Sequence, residues 1–467
     1  MKSRSAALLA LLVLAASACG ARLSSDQRTR ALGGNPNGRA SAFSAPQGAG
    51  LTSPVSFERE PGSGSGVVGA TEAGAASGVK DCAGDGSLTA SDTGVTSSEI
   101  RLGTVSDVSG VVPGLALSTF QAMQAVAAYI NSEGGICGRR IVLDLRDDQT
   151  TANGNKASTQ EACAQDFALV GSFSAFDDGG AKTVGQMKCP DMSAFTTTAE
   201  RGQSNPYTYP IYPNRPDYFV VASANYIKRT RPDVIGNAAI VWLNAGVAAV
   251  NARARVKGYE SAGFRFVYQE AAAVLETSYT PFVVEMKNHN PPVKFFTMVA
   301  DTQSIVRMLQ AMDQQDWHPA VMQFDLQVYT PQFLDLAQGT GQGALLWLNS
   351  AMFEEAAKYP EMQRYLEWLQ RVTPGAEPDT FGLFAWSAGR LFQQLATQIG
   401  PNLTRAKLVA ALNATTAWTG HGLHPPMNVA HRLPAGCELF GEVRGNGYVR
   451  RSPPTGFDCT GGLVHLT

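Results

Sequence analysis

AYINSEGGICGRRIVLDLRDDQ, residues 128–149, holds the end of one element, a turn and the whole of the next. Phe120, Met123, Val126, Ala127 and Ile130 recur at helical spacing, so residues 119–133 predict an amphipathic helix. Gly134-Gly135 stops it, because glycine takes the left-handed conformation of a helix end without a Cβ penalty. Residues 141–145, Ile-Val-Leu-Asp-Leu, then read as a strand that runs into Arg146-Asp147-Asp148. Helix, tight turn and strand in so few residues are the connection of a parallel sheet.

The alternation continues on both sides. Ile100, Leu102 and Thr104-Val105 predict a preceding strand. A helix near 156–166, a strand at 167–170, the loop Gly171-Ser172-Phe173-Ser174-Ala175, a helix near 181–188 and a short strand at 192–195 follow. Residues 204–217 break the rhythm with Pro206, Pro210, Pro213 and Pro216, and with Tyr207, Tyr209 and Tyr212 among them. This stretch reads as a crossover. Beyond it, strands at 238–243, 264–268, 295–300 and 320–324 alternate with helices at 247–262, 281–289 and 302–314. Two similar units in one chain imply an α/β protein of two lobes with a cleft between them.

Composition agrees and excludes other classes. The chain has 467 residues, enough for more than one ordinary domain, and 44% of them are apolar, too many for a wholly disordered chain. Lys plus Arg is 37 and Asp plus Glu is 39, for a net charge of -2. That is no basic footprint, so no nucleic-acid partner is expected. No stretch after the N-terminus is long and apolar enough to span a bilayer as a helix, so a multi-pass transporter is not expected.

The N-terminus reads as an address. Lys2 and Arg4 precede an apolar run at 6–18, and small residues lead into Cys19. A cysteine directly after such a cleavage site resembles the bacterial lipobox, with Ala16 where leucine is usual; lipidation of Cys19 is expected, and an ordinary signal peptide is the alternative. On this reading residues 1–19 are the signal. Residues 20–93, rich in Gly, Ala and Ser, form a flexible tether that spans on the order of 40 Å as a coil. Seven cysteines less Cys19 leave six, an even number in a chain addressed to an oxidising compartment. Cys82 and Cys137 precede the first and second strands, Cys163 and Cys189 the third and fourth. Neighbours paired in order give Cys82–Cys137 and Cys163–Cys189, which leaves Cys437–Cys459.

Several blocks resemble the type I periplasmic binding proteins, most closely the branched-chain amino-acid binding proteins of ABC importers. They are residues 128–149, the opening GVTSSEIRLG at 94–103, FGLFAWSAGRL at 381–391 and TRAKLVAAL at 404–412. The resemblance implies two Rossmann-like, three-layer α/β lobes joined by a three-segment hinge. Residues 94–215 and 346–420 would form lobe 1; 216–345 and 421–467 would form lobe 2. It also implies a monomer that serves ABC permease and ATPase subunits, anchored outside the cytoplasm to the cell membrane.

Ligands of open parallel sheets sit beyond the carboxyl ends of the strands. On that ground Ser172, Ser174 and the backbone of Ala175 are candidates for a carboxylate on lobe 1, the alternative being a plain polar turn. Thr196, Thr197 and Thr198 resemble the family's second ligand loop, or else a helix cap. Asp325, at about the family's ammonium position, and Asp301 each end a lobe-2 strand; Asn244 stands where the family often has an aromatic. His421 and His424 read as a surface loop rather than a metal pair. No Gly-x-Ser-x-Gly, His-Glu-x-x-His or P-loop occurs, so no enzyme activity, metal or cofactor is expected. The expected function is capture of an amino acid or similar small polar metabolite for an ABC importer. A ligand-sensing lipoprotein on the same fold is the alternative.

Overall fold

A computed structural model describes residues 82, 87–110 and 112–466. The signal, Cys19 and the tether through residue 81 lie outside the described residues. Among the described residues no helix is long and apolar enough to cross a membrane.

The first lobe is built on a parallel sheet of order β2-β1-β3-β4, from β1 (Glu99–Ser106), β2 (Arg140–Asp147), β3 (Ala168–Val170) and β4 (Asp191–Met192). The short parallel pair β5 (Phe195–Thr196) and β6 (Tyr212–Pro213) extends it towards the hinge. The deciding stretch folds as read. A helix over Leu117–Ser132 buries Ala122, Met123, Val126 and Ile130, and Gly134 and Gly135 follow it with φ of 97° and 77°. A Cβ on Gly135 would meet the Arg139 carbonyl oxygen, so both conformation and space require glycine there.

The second lobe holds a larger sheet of order β14-β13-β12-β11-β10-β8-β9. Its parallel part is β8 (Ala238–Leu243), β9 (Phe266–Ala272), β10 (Phe295–Val299), β11 (Val321–Phe324) and β12 (Leu345–Leu348). The antiparallel part is β13 (Leu439–Arg444) with β14 (Gly447–Ser452). A small antiparallel pair, β7 (Tyr218–Val220) with β15 (Leu463–His465), completes it. The central strands β8 and β10 are near-continuous apolar runs, as strands covered on both faces must be.

The chain crosses between lobes three times: between β6 and β7, after β12, and before β13. Two of these crossings fall later than expected. Residues 345–348 pair with both β11 and β13, so the return to lobe 1 begins after Leu348, not at 346. The helices Pro360–Val372, Thr380–Ile399 and Arg405–Asn413 then pack on the first sheet, and so do Leu423, Met427, Val429 and Ala435. Residues 421–435 therefore belong to lobe 1, because these side chains fill its core between the glycines and prolines that disguise them.

The same segment corrects the reading of the histidines. His421 is exposed, but His424 is buried: its Nε2 lies 2.8 Å from the Ser387 hydroxyl, which also accepts from the Trp418 indole at 2.8 Å. Burial pushes its pKa down to about 4, so it is a neutral core residue.

Residues expected at the end of the tether are docked on lobe 1. Asp92 accepts from the Arg405 backbone at 2.7 Å, Ser91 donates to the Leu403 carbonyl, and the buried Arg139 donates to the Thr89 carbonyl. The three disulfides are Cys82–Cys137, Cys163–Cys189 and Cys437–Cys459. The first ties the start of the described chain to the residues before β2.

Candidate functional site: an interlobe cleft

The carboxyl ends of β1, β2, β3 and β5 bring four loops of lobe 1 together, and aspartates at three of these strand ends organise the wall. Asp107 follows β1 directly and is fully buried. Its carboxylate accepts from the Ser174 hydroxyl at 3.1 Å and from the Ala175 N–H at 2.6 Å. Asp147 ends β2 and accepts from the N–H groups of Val108 and Ser109, both at 3.1 Å, and from the Ser109 hydroxyl at 2.5 Å. Asp177, in the loop after β3, accepts from the Thr197 N–H at 2.7 Å, the Thr198 N–H at 3.0 Å and the Thr198 hydroxyl at 2.5 Å.

These bonds set the protonation of the wall. Burial, with the neighbouring Asp148 carboxyl, pushes Asp107 up to about 8, so Asp107 keeps its proton at neutral pH. Burial raises Asp177 to about 6 against the donors of Thr198 and Thr197. Burial acts upward on Asp147 as well, but the donors of Ser109, Gln149 and Val108 outweigh it and hold that carboxyl below its usual range.

The lobe-1 residues singled out in the sequence lie at the strand ends, and Ser174, Ala175, Thr197 and Thr198 spend their donors within the wall. The Ser172 hydroxyl accepts from the Val105 N–H at 3.1 Å. Ser174 and Ala175 serve Asp107; Thr198 serves Asp177 and caps the turn Ala199–Gly202; the Thr197 hydroxyl donates to the Ser174 carbonyl. The Thr196 hydroxyl is buried without a hydrogen-bond partner, beside Gly202. At this wall a void of about 10 Å³, lined by Ser172, Ser174, Asn155, Asp177, Ser193 and Arg201, has room for one water.

On lobe 2, Asp325 follows β11 and pairs with Arg255 at 2.5 Å; both side chains are 10% exposed. Asp301 follows β10 and caps the helix Thr302–Gln314 through the Ser304 N–H, at 3.0 Å, and hydroxyl, at 2.7 Å. Asn244 follows β8 and is exposed. Its side chain and the hydroxyl of Tyr212 have no hydrogen-bond partner among the described residues. Most of these residues lie at strand ends, and the groups that engage several of them, Asp107, Asp177 and Arg255, are the ones sequence reasoning missed. Asp107 carried a usable signal, since it follows a strand just as Asp325 does.

Aromatic rings pack within the first lobe beside the hinge. Phe173 stacks on Phe381 with centroids 4.2 Å apart, Phe195 stacks on Tyr212 at 5.1 Å, and Tyr212 on Phe384 at 5.2 Å. Phe173 and Phe381 belong to the apolar cluster of the second lobe, so the base of the cleft is continuous with that core. Burial raises the Tyr212 hydroxyl pKa, and Glu438 and Asp325 add to it. Across the hinge, the Asn214 amide donates to Asn251 at 3.2 Å.

Two parallel-stranded sheets in two lobes, linked by three crossings, are the architecture of two-lobed binding proteins. The chain belongs to the periplasmic binding protein family, whose profile matches residues 99–446. This is a family of binding proteins, not of enzymes. Solved structures agree in fold. A fatty acid ABC transporter substrate-binding protein from Thermomonospora curvata is 17% identical, with a TM-score of 0.65 over 77% of this chain and 92% of that one. A branched-chain amino acid transporter substrate-binding protein from Streptococcus pneumoniae, in complex with isoleucine, is 13% identical, with a TM-score of 0.63 over 76% and 100%. A solute-binding protein from R. palustris, in complex with 4-hydroxybenzoate, is 17% identical, with a TM-score of 0.64 over 76% and 96%. Comparison with curated proteins returns no significant match.

Proposed function

We propose that the protein captures a small organic solute between its lobes, outside the cytoplasm, and delivers it to an ABC importer while anchored to the membrane through a lipidated Cys19. The observation that carries this is a parallel-stranded sheet in each of two lobes, in a chain of this family; the carboxyl ends of both sets of strands are where a solute would be held. A solute that touches both walls stabilises the closed arrangement only through that double contact. Ligands of an amino-acid-like, small polar kind are what the resemblance implies. The bound molecules named for two solved neighbours, isoleucine and 4-hydroxybenzoate, differ in chemistry, so the fold alone does not choose among them.

A thermal-shift screen of the full chain against amino acids, amides and small organic acids tests the reading. A solute that binds only the folded state raises the melting temperature, and does so increasingly as its concentration exceeds its Kd. Absence of any stabilising solute counts against it. Changing Cys19 to Ala tests the anchor: the variant should leave the membrane fraction and lose the mass of the lipid.

A further inference from the structure

A buried guanidinium borders the first wall with one of its nitrogens unused. Arg201 is 2% exposed, and its Nε donates to the Asp191 carboxylate at 2.6 Å. Its Nη1 is buried with no hydrogen-bond partner among the described residues. A stranded charged donor is costly, because it has given up its hydration without replacement. The same guanidinium lines the void of about 10 Å³, together with Asn155, Ser172, Ser174, Asp177 and Ser193. The Thr159 hydroxyl is in the same state as Nη1, buried and without a partner. The two lie within about 5 Å of each other, a span one water bridges, since a Cβ on Gly180 would be 2.8 Å from Nη1 and 2.4 Å from the hydroxyl.

Bonds lead from Arg201 in two directions. Asp191 also accepts from the Ser193 hydroxyl at 2.6 Å and the Thr208 hydroxyl at 3.1 Å, and the Thr208 carbonyl accepts from Arg432 at 2.6 Å. Thr208 lies in the proline-rich stretch that leads into the first crossing between lobes. The other direction is the wall. Asp177 accepts from the N–H groups of Thr197 and Thr198 and from the Thr198 hydroxyl, which in turn accepts from the Arg201 N–H at 3.4 Å. Burial raises the Asp177 carboxyl; the donors of Thr198 and Thr197 and the Arg201 charge work against it. Other acids stand further off. Asp107 and Asp148 reach the same loops through Ser174 and Asn155, Asp191 is bound to the guanidinium, and Asp178 and Glu200 are exposed.

We propose that Arg201 is the positioning residue of the first wall, acting on Asp177 through its charge and through one water bound in the void at Nη1. The water gives Nη1 an acceptor, and the polar lining supplies the further partners that an internal water needs. Arg201 then ties the Thr197–Thr198 loop to Asp191, and so to the stretch leading into the hinge. The role rests on the solute-binding reading, which puts a solute against this loop; its test needs no solute, so each can fail without the other.

The test compares the full chain with Arg201→Gln, which removes the charge and keeps a donor for Asp191, and with Arg201→Lys, which keeps the charge and loses Nη1. The Asp177 titration is read from the amide shifts of Thr197 and Thr198 in protein carrying isotope-labelled threonine, and the water from crystals of the parent. The parent should titrate at about 6, with a water in hydrogen-bond distance of Nη1. In Arg201→Gln the midpoint should rise by about one pH unit, as on loss of a nearby opposite charge, and Arg201→Lys should keep the parent's value. A purely structural arginine would lower the melting temperature in both variants and move neither midpoint. An unmoved midpoint in Arg201→Gln would therefore overturn the positioning role. Should that variant not fold, a midpoint in Arg201→Lys that leaves the parent's value overturns it as well. Parent crystals with Nη1 bonded straight to a protein acceptor, or with no water in the void, would overturn the water site.

Discussion

On the first wall, Asp107, Asp147 and Asp177 are held by backbone N–H groups and hydroxyls; on the second, Asp325 is held by a guanidinium. The difference is one of charge. Neutral donors stabilise an anion without cancelling it, so the first wall stays acidic, and one of its acids keeps a proton to relieve the strain of burial. A full countercharge cancels the second wall at the cost of binding two buried side chains to each other. The first wall is thus sensitive to pH and the second to loss of a single partner.

The sharpest way to break this contrast is Arg255→Ala. It strands the Asp325 carboxylate, 10% exposed, without a countercharge. Stability is predicted to fall by about 3–5 kcal/mol, measured by chemical denaturation, and the double change Arg255→Met/Asp325→Leu should recover most of it. A loss under about 1 kcal/mol in the single variant would mean that the pair is effectively solvated. On the first wall, Asp177→Ala removes one acceptor from two N–H groups and a hydroxyl. The predicted loss is smaller, roughly 2–3 kcal/mol, because each stranded donor is neutral. If Asp177→Ala proves the costlier of the two, the distinction between the walls fails.

How far these features were legible follows from their range in sequence. Apolar runs and helical spacing act locally, so β8 and the helix over Thr302–Gln314 lie where periodicity puts them. The strand-end positions of Ser174, Thr198 and Asp325 follow from the same pattern. What each side chain bonds to does not. Arg255 reaches Asp325 across 70 residues, and Asp107 reaches Ala175 across 68, through sheet register that no local motif carries. The return crossing was misplaced for a related reason: Leu345–Leu348 is an apolar run that suits either sheet, and only its pairing with β11 and β13 assigns it.

The proton on the first wall gives a finer test. The Asp107 carboxyl titrates near 8 when folded and near 4 when unfolded, so between these values the folded state binds more protons. Its contribution to stability therefore falls as pH rises from about 4 to about 8 and levels off above. Asp107→Asn cannot ionise, and its amide can still face Asp148. Denaturation midpoints of the variant should fall less steeply over that window than those of the parent, the gap in its favour widening towards pH 8. Parallel curves would place the proton elsewhere.

Thr196→Val is predicted to do least. Its hydroxyl is fully buried with no partner, and it lies against Gly202, where a Cβ would sit 2.4 Å from that oxygen. Valine matches threonine in shape and removes a polar atom that has lost its hydration without replacement. Stability should change by no more than about 0.5 kcal/mol, with a slight gain the favoured sign. Affinity for the solute should not change, since the oxygen faces the core and not the cleft. The position thereby separates two descriptions of the first wall. If this hydroxyl stays buried when the solute binds, Thr196→Val is silent in calorimetry once a ligand is in hand. A tenfold loss of affinity would mean that the end of β5 turns its hydroxyl to the solute on closure. The first wall would then offer a free donor, and the two walls would differ less than their resting structures imply.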